Sequence, residues 1–288
     1  MLELMAGAMH CLVLPACGGS LGGLWLGESP LLRPSGPEDW GSGDATRLAG
    51  FPLVPFSNRI AGARFDWQGK AITLPRNQPG ESHALHGLGW QRPWQVMAQA
   101  PSRAVLELTH EGGADWPWPF VARQEIVLTP DALVLTLSAR NLTAQAVPLA
   151  IGHHPYFARA GATLQMTAAQ VWLADPNNLP DHAVPPADAL DFSQPAPVAD
   201  RAVDNCYVGV NWPVQIGWPD RDHGLRLTAS TELPCAVVYS SAANNAFCVE
   251  PVSHLSNALN LPQASPAMPV IAPGATFACT ITMQVAPG

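Results

Sequence analysis

Proline occurs 30 times and glycine 24 times in this 288-residue chain. That density interrupts helices throughout and suits many short strands joined by turns. Between the breakers lie segments of strand length that alternate or run apolar: residues 104–109, 124–129, 132–139, 224–229, 235–240 and 276–283. Turn chemistry separates them, as in Thr129-Pro130-Asp131-Ala132 and Asp220-Arg221-Asp222-His223-Gly224. No window of helical length sustains three-four periodicity. Many strands at short spacing predict an all-β sandwich or barrel.

Hydrophobic residues make up 48% of the chain and charged residues 12%, enough apolar material for one large core. Residues 27–48 and 174–202 carry little alternation, and the second holds six prolines. With strand patterns on both sides, they read as surface excursions within a single domain spanning 1–288. The formal charge of −8 and the lone lysine, Lys70, exclude the basic patch that a nucleic-acid partner needs. No uncharged run is long enough to span a bilayer. The N-terminal Leu2-Glu3-Leu4-Met5 lacks a preceding Lys or Arg and reads as a first strand, not a signal peptide. Six cysteines, at 11, 17, 206, 235, 248 and 279, show no repeated spacing and read as free thiols. A soluble cytoplasmic protein, monomeric or homodimeric, is the expectation.

The chemistry concentrates in a few motifs. Gly152-His153-His154-Pro155-Tyr156-Phe157 follows the apolar run Val147-Pro148-Leu149-Ala150-Ile151, which reads as a buried strand with regular pairing ended by Pro155. Adjacent strand residues face opposite sides, so one histidine of the pair can enter a pocket and the other cannot. Glu250, in Ala246-Phe247-Cys248-Val249-Glu250-Pro251, ends an apolar strand, where partial desolvation makes a carboxylate more basic. Further segments are Asn58-Arg59-Ile60, Leu85-His86-Gly87 and Asp204-Asn205-Cys206-Tyr207. Ten tryptophans are many for this length. Among them Trp90, Trp94 and Trp218 lie near the motifs, and Trp218 is the choice for an indole platform under a bound ligand.

In this order and at these intervals, the motifs resemble the aldose 1-epimerase family, the galactose mutarotases. The resemblance runs from Leu14-Pro15-Ala16-Cys17-Gly18-Gly19 to Ile271-Ala272-Pro273-Gly274, nearly the whole chain. It implies a large antiparallel β-sandwich, a monosaccharide ligand, and anomer exchange by acid–base ring opening, with no metal, nucleotide or other cofactor. By the same resemblance Glu250 is the base and His154 the acid. His86, Asp204 and Arg59 match residues that contact the sugar, while His153 and His83 receive no role. The sequence departs from galactose-directed members at His86-Gly87-Leu88-Gly89-Trp90 and at His153-His154-Pro155, so the preferred aldose stays open. Two alternatives share the scaffold. A hexose-6-phosphate mutarotase would gather Arg59, Arg64, Arg76 and Arg92 around a phosphate, and a non-catalytic sugar-binding module would do without the acid–base pair. A metal site from His83, His86, His153 and Asp204 lacks the helical spacing of the usual zinc motifs.

Overall fold

The structure, a computed structural model, describes residues 1–199, 201–241 and 245–288. Among these it is an all-β sandwich built on one extended antiparallel sheet system. An outer run of strands goes Gln95–Ala100, Arg103–His110, Phe120–Leu128, Ala132–Asn141, Thr276–Pro287 and His223–Ala229. The edge strand Gln95–Ala100 is exposed throughout, but the central strands alternate buried and open positions, as in Phe120–Leu128, where Phe120, Ala122, Gln124, Ile126 and Leu128 all point inward. The alternation read from the sequence is therefore one face of this run against the core.

An inner run goes Val203–Gly217, Cys235–Ser240, Ala246–Val252, Gly152–Ala158 and Gly50–Leu53. It continues through Ser20–Leu26 and Met9–Leu14 to the first strand, Leu2–Ala6. The strands Cys235–Ser240, Ala246–Val252 and Gly152–Ala158 are buried along nearly their whole length. They read as continuous apolar runs because core or cavity covers both of their faces. Val203–Gly217 joins the two runs. Its first half pairs with Cys235–Ser240 and its second half with His223–Ala229. The break falls at Gly209, whose φ of +67° suits glycine. Buried Gln124 ties the layers together by donating from Nε2 to the Gly19 carbonyl at 2.8 Å.

Two expectations need correcting. Residues 147–151 are not the strand; only Val147–Pro148 pairs there, with Val270–Ile271. The strand begins at Gly152 and Pro155 sits inside it instead of ending it. Proline is tolerated because its neighbour on that side, Gly50, pairs with it in register while the opposite ladder is open at this point. The stretch 27–48 is more ordered than a bare excursion: it holds a short helix, Pro37–Trp40, and a 3₁₀ turn, Ala45–Arg47. All six cysteines are free thiols, and Cys17 alone is not buried. Among the described residues no helix is long and apolar enough to cross a membrane.

Candidate active site

The site begins as a gap in a ladder. Gly152–Ala158 pairs with Ala246–Val252 at Gly152↔Val252 and again at Tyr156↔Cys248, with nothing between. In that register His154 lies directly opposite Glu250, Pro155 opposite Val249 and Pro251 opposite His153. Each proline lacks an N–H, so the ladder cannot close across this stretch. The side chains of the facing pair meet instead: His154 Nε2 and Glu250 Oε1 are 3.1 Å apart, with 8% and 2% of their side-chain surfaces exposed.

Two rows of side chains cross the same face of the inner run. One row is Asp204, Tyr239, Cys248 and Tyr156, the other Cys206, Val237, Glu250, His154 and Phe51. Corresponding members are two residues apart on each strand, so both rows point to one side. They form the floor of a cavity of about 280 Å³, lined by Arg33, Thr46, Asn58, Arg59, Leu85, His86, His154, Tyr156, Asp204, Tyr239 and Glu250. A volume of this order suits one monosaccharide.

Loops make the rim. Asn58 and His86 both adopt left-handed backbone, with φ of 56°. The His86 N–H donates to the Asn58 carbonyl at 2.9 Å, while the Asn58 N–H donates to His86 Nδ1 at 3.1 Å. Because Nδ1 accepts, the ring proton sits on Nε2, and His86 offers the cavity a donor. Gly87 follows with φ of +70°, and a Cβ there would lie 2.3 Å from the Val54 carbonyl oxygen. Only glycine lets the loop press so close. Arg59 donates from Nε to Glu81 Oε2 at 3.1 Å and approaches Asp204 at 3.7 Å.

Burial sets the electrostatics. Desolvation pushes the Glu250 carboxyl well above its usual range, and nearby Asp204 adds to this. Desolvation holds His154 well below the usual imidazole value, with His86 and His153 contributing. The two directions agree on one state near neutrality: a pair holding a single proton shared between Oε1 and Nε2. His86 falls to about 3, from burial first and Arg59 second, and is neutral. The Asp204 carboxyl is raised by burial, opposed by Arg59.

Of the residues singled out in the sequence, Glu250, His154, His86, Asp204 and Arg59 come together around this cavity. Trp218 does not. It is buried at 2% exposure, donates from Nε1 to the Ala158 carbonyl at 2.9 Å, and is covered by the Arg221 guanidinium at 4.5 Å. It follows the far end of the long strand, where an indole packs the core edge. Trp90 and Trp94 brace the rim loop from behind, donating to the carbonyls of Gly87 and Gly89. Tyr156 and Tyr239 are the aromatic rings that do line the cavity. His153 faces the other side of the sheet, buried, with neither ring nitrogen hydrogen-bonded among the described residues. His83 Nδ1 accepts the Gly62 N–H at 3.0 Å, so the four-residue metal set is not assembled.

Arg33 and Thr46 were not foreseen, since their stretch of sequence shows no strand pattern. The Arg33 guanidinium stacks on Tyr156 at 4.0 Å and donates to the carbonyls of Thr46 and Leu48. The sequence signal there was no more than Arg33, one of two arginines in a Gly/Pro-rich loop.

The cavity and its facing pair can be set against known proteins. The aldose 1-epimerase family model matches residues 3–284. The chain belongs to the aldose 1-epimerase family. Within reach of this family is YphB, an uncharacterised Escherichia coli K12 protein, 32% identical over 277 residues that cover 93% of each chain. A crystal structure described as that of a candidate aldose 1-epimerase from Escherichia coli K12 superposes with a TM-score of 0.90 at 31% identity, covering 99% and 98% of the two chains. A galactose mutarotase-like protein from Clostridium acetobutylicum gives a TM-score of 0.88 at 18% identity, with coverage of 99% and 95%, and shares the fold.

Proposed function

We propose that the protein is a mutarotase that exchanges the α and β anomers of a free aldose. The observation that carries this reading is the direct opposition of His154 Nε2 and Glu250 Oε1, 3.1 Å apart at the floor of a monosaccharide-sized cavity. Anomer exchange requires a proton to leave the C1 hydroxyl as another reaches the ring oxygen. Those two oxygens share one carbon, so two neighbouring proton carriers match them. Glu250 as carboxylate takes the hydroxyl proton while protonated His154 delivers its own to the ring oxygen. The C1–O5 bond breaks, and the open-chain aldehyde turns about C1–C2. Glu250 and His154 then exchange roles as the ring closes on the other face.

The pair holds one proton before and after, so neither residue must exchange with solvent during turnover. His86 supplies an N–H toward a sugar oxygen, and Asp204 and Arg59 face the remaining hydroxyls. Tyr239 offers its ring to the C–H face, whereas the Tyr156 ring is stacked by Arg33 and His154. The phosphorylated-sugar reading has less support. Arg64, Arg76 and Arg92 do not line the cavity, and Arg59 already faces two carboxylates. A binding module gains nothing from a buried acid–base pair that costs desolvation.

Polarimetry of freshly dissolved α-D-glucose, α-D-galactose and L-arabinose tests this. Acceleration by the wild type should be insensitive to chelator. It should fall by about 10²–10⁴-fold in Glu250→Gln and in His154→Asn while both stay folded. No acceleration of any free sugar would overturn the reading.

A further inference from the structure

Cys248 lies on the cavity floor between Tyr239 and Tyr156, one place along the strand face from Glu250. It is wholly buried beneath the side chains that line the cavity and has no part in the proton transfers. Its Sγ, a ring nitrogen of His154 and a Glu250 carboxylate oxygen all lie within 4.8 Å of one another. We propose that these three atoms form a site for a thiophilic divalent cation, Zn²⁺ being the type, whose occupation blocks the cavity.

The donor set decides the class of ion. Thiolate and imidazole suit zinc and its soft neighbours, whereas magnesium and calcium prefer an all-oxygen shell. Zinc reaches sulfur at about 2.3 Å and nitrogen or oxygen at about 2.0–2.2 Å. Donors already this close therefore converge on one ion by small side-chain rotations. Three protein ligands also leave a fourth, open position toward the cavity, as such sites commonly do. A second observation points to a ligand. Glu250 Oε2, almost fully buried, has no hydrogen-bond partner among the described residues, and neither has His154 Nδ1. An unbonded carboxylate oxygen at such depth is costly unless something comes to meet it.

Binding replaces protons. The Cys248 thiol loses its proton to solvent as the S–metal bond forms, and the proton shared by Glu250 and His154 leaves as both turn to the ion. Affinity therefore rises with pH. A bound ion takes both atoms that the proposed mutarotation needs, so the ion and the sugar compete.

The binding arm of the test needs no turnover and stands apart from the proposed function; the inhibition arm rests on it. Co²⁺ is titrated into the chelator-treated full chain and followed by absorbance. One equivalent should bind with a thiolate-to-cobalt charge-transfer band, and Zn²⁺ should displace it. Cys248→Ala and Cys248→Ser, checked for folding by circular dichroism, should both lose the band. In polarimetry Zn²⁺ should inhibit the wild type competitively with sugar. Measured against its own zinc-free rate, Cys248→Ala should need at least about tenfold more Zn²⁺ for half-inhibition. Cobalt bound without the band would overturn the proposal. So would a band that survives in both variants, as binding at Cys206 or Cys235 would give, or equal zinc sensitivity of wild type and Cys248→Ala.

Discussion

Acid should unfold this protein unusually steeply, because three buried histidines are held neutral by their surroundings. Burial lowers His86 and His153 to about 3 and His254 to about 4. Two are also fixed by backbone donors: the Asn58 N–H into His86 Nδ1, and the Ser57 N–H into His254 Nε2 at 3.1 Å. Protonation would set N–H against N–H at both places. In the unfolded chain each ring returns to about 6.5. Each folded value is depressed, so between the two values the unfolded state binds more protons. Stability is full above pH 6.5 and falls as pH drops.

Between pH 4.5 and 6.5 the Glu250–His154 pair adds no slope, because it holds one proton both folded and unfolded; above 6.5 only the folded pair keeps it. Three protons at about 1.4 kcal/mol per pH unit each give roughly 4 kcal/mol per unit near pH 5. A domain stable by about 5–15 kcal/mol loses much of that within two units. Urea unfolding followed by tryptophan fluorescence, from about pH 7.5 to 4.5, measures it. The unfolding free energy should fall steeply as pH drops below about 6.5 and decline gently as pH rises above it, where the unfolded pair has lost its proton, and His254→Gln should remove about a third of the acid slope. An unfolding free energy constant between pH 7 and 5 would refute the reasoning.

Two further outcomes concern the site. The competent state holds one proton between Glu250 and His154. With Glu250 raised and His154 lowered, kcat/KM should pass through pH 6.5 without a break; a limb centred there would mean that a solvent-like histidine controls the rate. Gly87→Ala places a Cβ against the Val54 carbonyl at a φ of +70°. It should lower Tm and, by shifting His86, raise KM about tenfold or more (at least ~1.4 kcal/mol). Unchanged thermal melting and sugar kinetics would show that the loop has another way to seat His86.

The strands were legible wherever one face meets the core and the other does not, as in Phe120–Leu128 and Thr276–Pro287. Cys235–Ser240 was found as an apolar run at its observed bounds. The inner strands around Pro155 were misread because a proline in a strand ordinarily signals its end. Here two prolines on facing strands share one interruption, which only pairing reveals. Glu250, His154, His86, Asp204 and Arg59 were found through motif order, not through any pattern of burial. Arg33 and Thr46 reach the cavity by the path of a loop, and no local periodicity encodes that. Trp218 illustrates the converse error: an aromatic near a motif in sequence sits far along a 15-residue strand in space.

The floor of the cavity belongs to strand register and its rim to loops. The distance between Glu250 and His154 follows from which residues face each other across Gly152–Ala158 and Ala246–Val252, buried on both sides. Arg33, Thr46, Asn58, Arg59 and His86 hang on connections that tolerate insertion and exchange. On the proposed mutarotase reading, divergence therefore rewrites which hydroxyls are read while leaving the proton exchange untouched. A graft of rim loops from a relative should carry sugar preference with it, whereas a one-residue slip of either floor strand would turn the pair away from the sugar at once.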